Sequence, residues 1–247
     1  MISSIRPWLK FAGIVIVLVW FLNRLLIGDF IKGKSQERGF RIRRKFCSSC
    51  LKILGIKFRK EGQPFPGVCL YVSNHRSMLD PLIELSWIDT YILSKAEVGD
   101  YPLLGRGAKE TGIILVDRDD SQSRKMALGS IEENLMAKRS VLIYPEGTVY
   151  NGDLTGQFRK GAIELAYDLG VPIVPVMIEY PDAGYYWGHE ELLQYFLRIF
   201  SKAGGIIVNG KIGKPVITTS RAEIVVETQN AISKMIVEVR ESRTFQI

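Results

Sequence analysis

Short apolar runs that alternate with helix-like segments are the feature that most restricts the fold of this 247-residue chain. The runs are as long as β-strands and contain few polar residues, which is typical of strands buried on both faces of a parallel sheet. We therefore predict an α/β domain over residues 61–247, with a mostly parallel (mixed) sheet covered by helices on both faces. The predicted strands are residues 68–73, 91–94, 113–117, 141–144, 173–178 and 206–210. The predicted helices are about 78–89, 121–138, 158–169 and a last one after the Ser220–Glu223 capping box.

The N-terminal quarter is apolar enough to enter a membrane. Within residues 8–30 the uncharged run covers residues 11–23, which is shorter than the ~20 residues of a spanning helix. The flanking Lys10 and Arg24 can lengthen that run by snorkelling. We predict that residues 1–60 form a membrane-anchoring helical hairpin, with a single-pass anchor or a soluble helical pair as alternatives. A cleaved signal peptide is less favoured, because no A-x-A-like cleavage site is present.

Positive charge is concentrated in the same quarter of the chain. Residues 1–60 carry a net charge of +12, whereas residues 61–247 carry −5. Residues 32–60 combine eleven Lys/Arg and one acid with apolar residues at helical spacing, which predicts a basic amphipathic helix in the membrane interface. Basic charge beside an apolar segment favours anionic lipid over nucleic acid, so no nucleic-acid partner is expected. We expect the protein at the cytoplasmic face of the cell membrane.

The cysteines and histidines predict neither a disulfide framework nor a metal site. Cys47 and Cys50 have C-x-x-C spacing, but no second pair follows, and Cys69 stands apart. The chain has only two histidines, which makes a poor set of metal ligands. We interpret Cys47 and Cys50 as helix-packing residues, and we expect no metal and no cofactor.

Three reactive side chains follow three different predicted strands. His75, Arg118 and Glu146 each come one to three residues after a strand. Ligands of open α/β sheets bind at the carboxyl ends of strands, so these residues are expected at one edge. Asp80 follows His75 by five residues, and across a strand-to-helix turn the two can converge so that the carboxylate orients the imidazole as a base. On this geometry alone, a surface histidine and a helix-capping aspartate remain an equal alternative.

Six short blocks follow one another along the chain. They are "NHRSMLD" (74–80), "KAEVGDYP" (95–102), "GIILVDR" (112–118), "YPEGT" (144–148), "FRKGA" (158–162) and "VPIVPV" (171–176). In their order they resemble the glycerolipid acyltransferase family of the 1-acylglycerol-3-phosphate acyltransferase type. The resemblance covers about residues 70–178, and six blocks in the family's order are more specific than any one of them. One departure is that Val149 and Tyr150 stand where many members carry Arg or Lys.

The resemblance implies an acyl transfer from a thioester to a glycerol hydroxyl. His75 is the implied general base and Asp80 the residue that orients it. The hydroxyl then attacks the thioester directly, in agreement with the absence of a G-x-S-x-G nucleophile motif. The implied reaction converts lysophosphatidic acid to phosphatidic acid, with acyl carrier protein or coenzyme A carrying the acyl group. The alternatives are another acceptor, such as glycerol 3-phosphate or another lysophospholipid, and a non-catalytic lipid-binding module.

The resemblance also implies a set of substrate-binding residues. A guanidinium binds phosphate in bidentate fashion, so Arg118 is the expected phosphate ligand unless it pairs with its aspartate neighbours. The N–H of Gly147 is expected to help stabilise the oxyanion, and Glu146 to bind a glycerol hydroxyl or orient its neighbours. Arg159 and Lys160 either assist with the phosphate or begin a solvated helix. The full implied set is Arg118, Glu146, Gly147, Thr148, Lys95, Arg159 and Lys160.

Overall fold

A seven-stranded sheet is the centre of the molecule. The computed structural model of the protein describes residues 2–95, 105, 107, 110–116, 121–188, 190–202 and 205–244. Within these residues the strands are β1 (Ile56–Glu61), β2 (Leu70–Ser73), β3 (Tyr91–Lys95), β4 (Ile113–Val116), β5 (Val141–Ile143), β6 (Ile173–Glu179) and β7 (Ile206–Ile212). Their order in the sheet is β1-β7-β6-β2-β5-β3-β4.

The sheet is mixed but mostly parallel. Strands β6, β2, β5, β3 and β4 run parallel to one another, whereas β7 is antiparallel to β6, and β1 pairs parallel to β7. The predicted fold class is therefore confirmed. All six predicted strands are present, and their carboxyl ends in the parallel part meet at one edge of the sheet.

Helices cover both faces of this sheet. The helices are α1 (Ile2–Lys32), α2 (Gln36–Leu54), α3 (Asp80–Glu84), α4 (Ser121–Met136), α5 (Gly161–Asp168), α6 (Leu192–Ser201) and α7 (Ile224–Thr244). Leu70, Val141 and Ile173 point to one face of the sheet and pack with helices α4, α5 and α7. The alternate residues Tyr71 and Leu142 point to the other face and pack with α2 and the turns after α3. Burial of each large apolar side chain contributes roughly 1.5–3 kcal/mol.

The first two helices form the predicted hairpin, and α2 docks closely on the sheet domain. Gly39 approaches the body so closely that a Cβ at this position would lie 2.6 Å from the carbonyl oxygen of Glu110. The buried Arg43 donates hydrogen bonds to the carbonyl oxygens of Thr111 (2.5 Å) and Ile88 (3.4 Å). The inner face of α2 is therefore occupied by protein, and its charged outer face is left to solvent or membrane.

The two cysteines of α2 belong to this inner face. Cys47 and Cys50 are buried, and neither forms a disulfide. Burial raises the pKa of each thiol to about 12. Both thiols are therefore protonated at neutral pH, as expected for packing residues.

Helix α1 exposes a large apolar surface. Its Ile5–Lys32 portion is long and apolar enough to cross a membrane, by length and composition. Trp8, Ile16 and Trp20 are more than half exposed. Lys10 was expected to extend its side chain toward the membrane surface. Its Nζ instead donates hydrogen bonds within the protein, to the carbonyl oxygens of Leu54 (3.4 Å) and Lys202 (3.5 Å). These carbonyls lie at the ends of α2 and α6, where a cation is favoured by the helix dipole.

The segment between the hairpin and the sheet differs from the continuous helix predicted for residues 32–60. Helix α2 ends at Leu54, and Gly55 follows with a φ of 76° that favours glycine. Residues 56–61 then form edge strand β1, which pairs with β7. The last residues assigned to the N-terminal segment thus contribute to the sheet, and the domain boundary at residue 60 stays a prediction.

Candidate active site

The ends of the neighbouring strands β2 and β5 bring two of the three predicted reactive residues, His75 and Glu146, together. Val72 pairs with Ile143, so the turns that follow the two strands leave the sheet side by side. His75 lies in the turn after β2, and the Pro-Glu-Gly-Thr turn follows β5. The amide of Tyr150 donates to the carbonyl oxygen of His75 at 2.8 Å and ties the two turns together.

His75 and Asp80 form the predicted pair. Nδ1 of His75 lies 2.8 Å from Oδ2 of Asp80, and the carboxylate is fully buried while the imidazole is 13% exposed. In a neutral imidazole this contact places the proton on Nδ1 and leaves the lone pair on Nε2, because a carboxylate only accepts. That tautomer is the one in which Nε2 can act as a general base.

Asp80 is held in place by three further donors. Its Oδ2 also accepts hydrogen bonds from the amides of Arg76 (2.6 Å) and Ser77 (2.8 Å). Its Oδ1 accepts from the buried hydroxyl of Tyr180 at 2.6 Å. Asp80 is the first residue of α3, and Pro81 at the start of a helix costs no backbone hydrogen bond. The carboxylate is therefore fixed in position before any substrate binds.

The face of the His75 ring rests on an aromatic ring. Tyr144 stacks on His75 with ring centroids 4.2 Å apart and an angle of 15° between the planes. The Tyr144 hydroxyl donates to Oε2 of Glu84, a fully buried residue of α3. Burial raises the pKa of Tyr144 well above its ordinary value, so the hydroxyl keeps its proton.

The pKa of Glu84 predicts a pH dependence of stability. Burial raises this pKa from an ordinary 4.5 to about 8, against the opposing hydrogen bonds from Ser73 and Tyr144. The folded protein keeps this proton over a range in which the unfolded chain releases it. The resulting stabilisation is complete below about pH 4.5 and is lost as the pH rises to about 8, by at most ~1.4 kcal/mol per pH unit.

We therefore expect Glu84→Gln, whose side chain stays neutral, to remove this part of the pH dependence. The variant should unfold at a higher temperature than the native protein at about pH 8, and this advantage should shrink toward about pH 5. Thermal unfolding across this pH range measures the difference. Glu132→Gln, at an exposed position of α4, is the control. Parallel curves for Glu84→Gln and the native protein would contradict the prediction.

Glu146 joins the two turns and a third loop. Its Oε2 accepts from the amide of His75 at 2.7 Å, and its Oε1 accepts from the amide of Gly156 at 2.7 Å. Burial raises the pKa of Glu146, and these two amides oppose that rise. Of the two roles expected for Glu146, this geometry favours the orientation of its neighbours over direct binding of a glycerol hydroxyl.

Gly147 makes room for a cation. Its φ is 76°, and a Cβ at this position would lie 2.5 Å from Cζ of the Arg159 guanidinium. The Gly147 amide donates to the carbonyl oxygen of Tyr144 at 3.0 Å. This N–H is therefore engaged within the turn, in contrast to the expectation that it is available to an oxyanion. Arg159 places positive charge against the Pro-Glu-Gly-Thr turn, and the residue after this turn, Val149, is buried and uncharged.

A groove of about 660 Å³ lies beside this turn. Glu146, Arg159 and Lys160 are among its lining residues. The Lys160 side chain is 76% exposed and lies 3.8 Å from Glu164, while Thr148 is exposed on the turn. Glu146 lines the groove and accepts the hydrogen bond of the His75 amide, so one carboxylate connects the cation-lined groove to the turn that carries the imidazole.

Two of the predicted substrate-binding residues have no described side chain. Arg118 lies outside the described residues. Lys95 ends strand β3, where its backbone pairs with Val116. Their roles in substrate binding stay predictions.

Several residues of this site were not expected from the sequence. Arg76 is buried and donates hydrogen bonds to the carbonyl oxygens of Tyr150, Gly152, Asp153 and Leu154, so it fixes the loop after the Pro-Glu-Gly-Thr turn. Tyr144, Tyr180 and Glu84 surround the His75–Asp80 pair. One sequence signal was available, because Glu84 follows Asp80 by four residues in "DPLIE" and therefore shares its helix face.

Known proteins resemble this chain in sequence and fold. Residues 56–179 match the family model described as Acyltransferase. A 1-acyl-sn-glycerol-3-phosphate acyltransferase of Helicobacter pylori is 31% identical over 66% of this chain and 69% of its own length. A lyso-ornithine lipid O-acyltransferase of Pseudomonas aeruginosa is 29% identical over 78% of this chain and 77% of its own length.

A solved structure supports the same fold. The crystal structure of the 1-acyl-sn-glycerophosphate acyltransferase PlsC from Thermotoga maritima has a TM-score of 0.77 at 19% identity, over 96% of this chain and 98% of that one. The family model spans the sheet from β1 to β6 and includes both turns of the site. The chain therefore belongs to the glycerolipid and lysophospholipid acyltransferase family.

Proposed function

We propose that the protein transfers a fatty acyl group from a thioester to the 2-hydroxyl of 1-acyl-glycerol 3-phosphate and so forms phosphatidic acid. The observation that carries this proposal is the His75–Asp80 pair, with its 2.8 Å hydrogen bond, at the carboxyl edge of the sheet of a family member. The nearby Arg159 guanidinium supplies charge suited to a phosphate.

The proposed reaction uses His75 as a proton carrier. Nε2 takes the proton of the acceptor hydroxyl as its oxygen attacks the thioester carbonyl. The bond from the carbonyl carbon to sulfur then breaks, and the leaving thiolate takes the proton from the imidazolium. Asp80 holds the Nδ1 proton and stabilises the transient positive charge.

Phosphate recognition is assigned to the cations beside the Pro-Glu-Gly-Thr turn. Arg159 lies against Gly147, and Lys160 lines the same groove. Arg118 is proposed as a further phosphate ligand on the strength of its motif. A hydrogen bond to a charged group contributes ~1.5–3 kcal/mol, so two or three such contacts distinguish a phosphorylated acceptor from a neutral one.

The acceptor is tested directly by product analysis. The purified protein is incubated with an acyl-coenzyme A or an acyl–acyl carrier protein and one acceptor at a time. The acceptors are lysophosphatidic acid, glycerol 3-phosphate, lysophosphatidylethanolamine and lyso-ornithine lipid. We expect the highest kcat/KM with lysophosphatidic acid and phosphatidic acid as its product. A higher value with another acceptor would assign the protein to that sibling activity, and lipid binding without release of thiol from either donor would overturn the enzymatic proposal.

We also propose that the N-terminal hairpin holds the protein on the cytoplasmic face of the cell membrane, as a monotopic or single-pass anchor. The exposed apolar surface of α1 lies beside α2, whose outer face carries the exposed cations Arg41, Lys45 and Lys52. A bilayer-bound enzyme can take a lysolipid sideways from the leaflet. Each cation near an anionic surface contributes ~1 kcal/mol.

Replacement of these three cations by glutamine is expected to weaken binding to vesicles that contain phosphatidylglycerol, by roughly 10²-fold at low salt. Binding to vesicles of phosphatidylcholine alone should change little, because the apolar surface of α1 is unaltered. Co-sedimentation with vesicles measures both. The matched control replaces three exposed lysines elsewhere, Lys125, Lys214 and Lys234, by glutamine. Equal loss of binding in the two triple variants would contradict a role for the α2 surface.

A further inference from the structure

Helix α3 contacts the His75 ring in two different ways. Asp80 and Glu84 lie one helical turn apart on α3, and both are fully buried. Asp80 binds the Nδ1 edge of the imidazole. Glu84 binds the hydroxyl of Tyr144, whose ring covers one face of the same imidazole. One short helix therefore restrains both the edge and the face of the ring.

The two contacts restrict different motions. A single hydrogen bond at Nδ1 fixes the position of the edge but lets the ring plane rotate about the line from Nδ1 to Asp80. A parallel ring 4.2 Å away blocks that rotation on one side. Together they determine the direction of Nε2, the atom that would receive the substrate proton. Catalysis is sensitive to this direction, since a misplacement of about 1 Å can cost ~10²-fold in rate.

The arrangement is more specific than ordinary core packing. Tyr144 is only half-buried, and it packs between the core beneath the sheet and the His75 ring. Its hydroxyl binds a carboxyl group that is completely removed from solvent. Burial of an acid is costly, and the cost is lowest when the acid is neutral. Burial raises the pKa of Glu84 to about 8, so its carboxyl group is mostly neutral at pH 7. A second negative charge next to Asp80 is thereby avoided.

We propose that Tyr144 is a positioning residue for His75, held in place by Glu84. It acts by stacking on the imidazole and sets the direction of Nε2. This inference rests on the proposed role of His75 as the base. It gives a function to Tyr144, the residue just before the Pro-Glu-Gly-Thr turn, and to the carboxyl group of Glu84, which takes no direct part in the transfer reaction.

A spectroscopic test examines the stack without reference to activity. The chain contains two histidines, so histidine-labelled protein gives two imidazole signals, and His189→Gln identifies that of His75. A stacked tyrosine ring shifts the ring protons of its neighbour upfield. We expect the His75 signal to be upfield in the native protein and in Tyr144→Phe, and to move downfield in Tyr144→Leu. An unchanged His75 signal in a folded Tyr144→Leu would show that no stack exists.

Kinetics then test what the stack does. Tyr144→Leu is expected to lower kcat by roughly 10- to 100-fold and to leave the KM for the acceptor nearly unchanged, since substrate contacts are intact. Tyr144→Phe keeps the stacked ring but loses the hydroxyl bond to Glu84, so its kcat should fall between those of Tyr144→Leu and the native protein. Tyr167→Leu is the matched control, because the Tyr167 hydroxyl also makes a hydrogen bond, to the carbonyl oxygen of Thr219, and Tyr167 lies on α5, outside the turns that hold His75 and Glu146.

The outcomes separate this inference from the proposed function. Native kcat in a folded Tyr144→Leu, or equal loss in the leucine and phenylalanine variants, would overturn the positioning role while the native enzyme remains active. If the leucine variant fails to fold, Tyr144→Met takes its place, because it fills a similar space without a ring. Absence of transfer by the native protein would instead contradict the proposed function and leave the spectroscopic result to decide on the stack.

Discussion

Replacement of His75 by alanine is expected to abolish acyl transfer in a protein that still folds. His75 is the residue whose Nε2 is free to take the hydroxyl proton, and loss of a general base lowers the rate by roughly 10²- to 10⁴-fold. The imidazole is partly exposed and its backbone contacts to Glu146 and Tyr150 do not depend on its side chain. Thiol release from the acyl donor, measured with lysophosphatidic acid present, gives the rate.

The second histidine provides the control. His189→Ala makes the same chemical change at another position, and its rate should match that of the native protein. Equal secondary structure and vesicle binding in the two variants would show that folding is not the cause of the loss. Native turnover in His75→Ala would exclude His75 as the base.

Replacement of Asp80 by asparagine is the second change with a large expected effect. Asparagine is nearly isosteric, and its carbonyl oxygen can still accept from Nδ1 of His75 and from the amides of Arg76 and Ser77. Its NH₂ group would face Tyr180, whose hydroxyl can rotate to accept a hydrogen bond. The geometry is therefore largely kept, but the charge that stabilises the imidazolium is lost. We expect kcat to fall by about 10²- to 10⁴-fold.

The alanine variant at the same position distinguishes charge from structure. Asp80→Ala leaves four donors without their acceptor, and each unsatisfied buried donor costs ~1–3 kcal/mol. Its unfolding temperature should therefore fall well below that of Asp80→Asn. Asp168→Asn, at a surface aspartate paired with Arg221, is the control for loss of a carboxylate. Native activity in Asp80→Asn would show that the charge of this residue is not needed.

The fold was largely predictable because its strands are buried on both faces. Every residue of β6 is buried, and the six residues before its final Glu179 are all apolar, so the strand is visible in the sequence. Strand β1 was missed for the opposite reason. Only Ile56 is buried in "IKFRKE", and its four charged residues continue the pattern of the basic helix before it. These residues form a strand because they pair with β7, a contact between segments far apart in the sequence.

The pair at the centre of the site was predictable, and its surroundings were not. A histidine and an aspartate five residues apart, in a turn between a strand and a helix, are close in sequence as well as in space. Tyr144 and Tyr180 lie far from them along the chain and arrive through strands β5 and β6. The sequence near each tyrosine does not indicate that these rings lie beside His75 and Asp80, because the order of the strands in the sheet determines which turns are neighbours. The engaged amide of Gly147 was missed for a related reason, because the turn's own hydrogen bond is formed only when the chain reverses.

Direct acyl transfer with His75 as the base is tested by measuring both products of one reaction. The native protein is mixed with lysophosphatidic acid and an acyl thioester, and then with the thioester alone. Free thiol, phosphatidic acid and the mass of the intact protein are recorded together. Direct transfer predicts thiol and phosphatidic acid in equal amounts, no acylated protein at any time, and no thiol without the lipid. An acyl group bound to the protein before the lipid is added, or thiol release that forms no phosphatidic acid, would contradict direct transfer through His75.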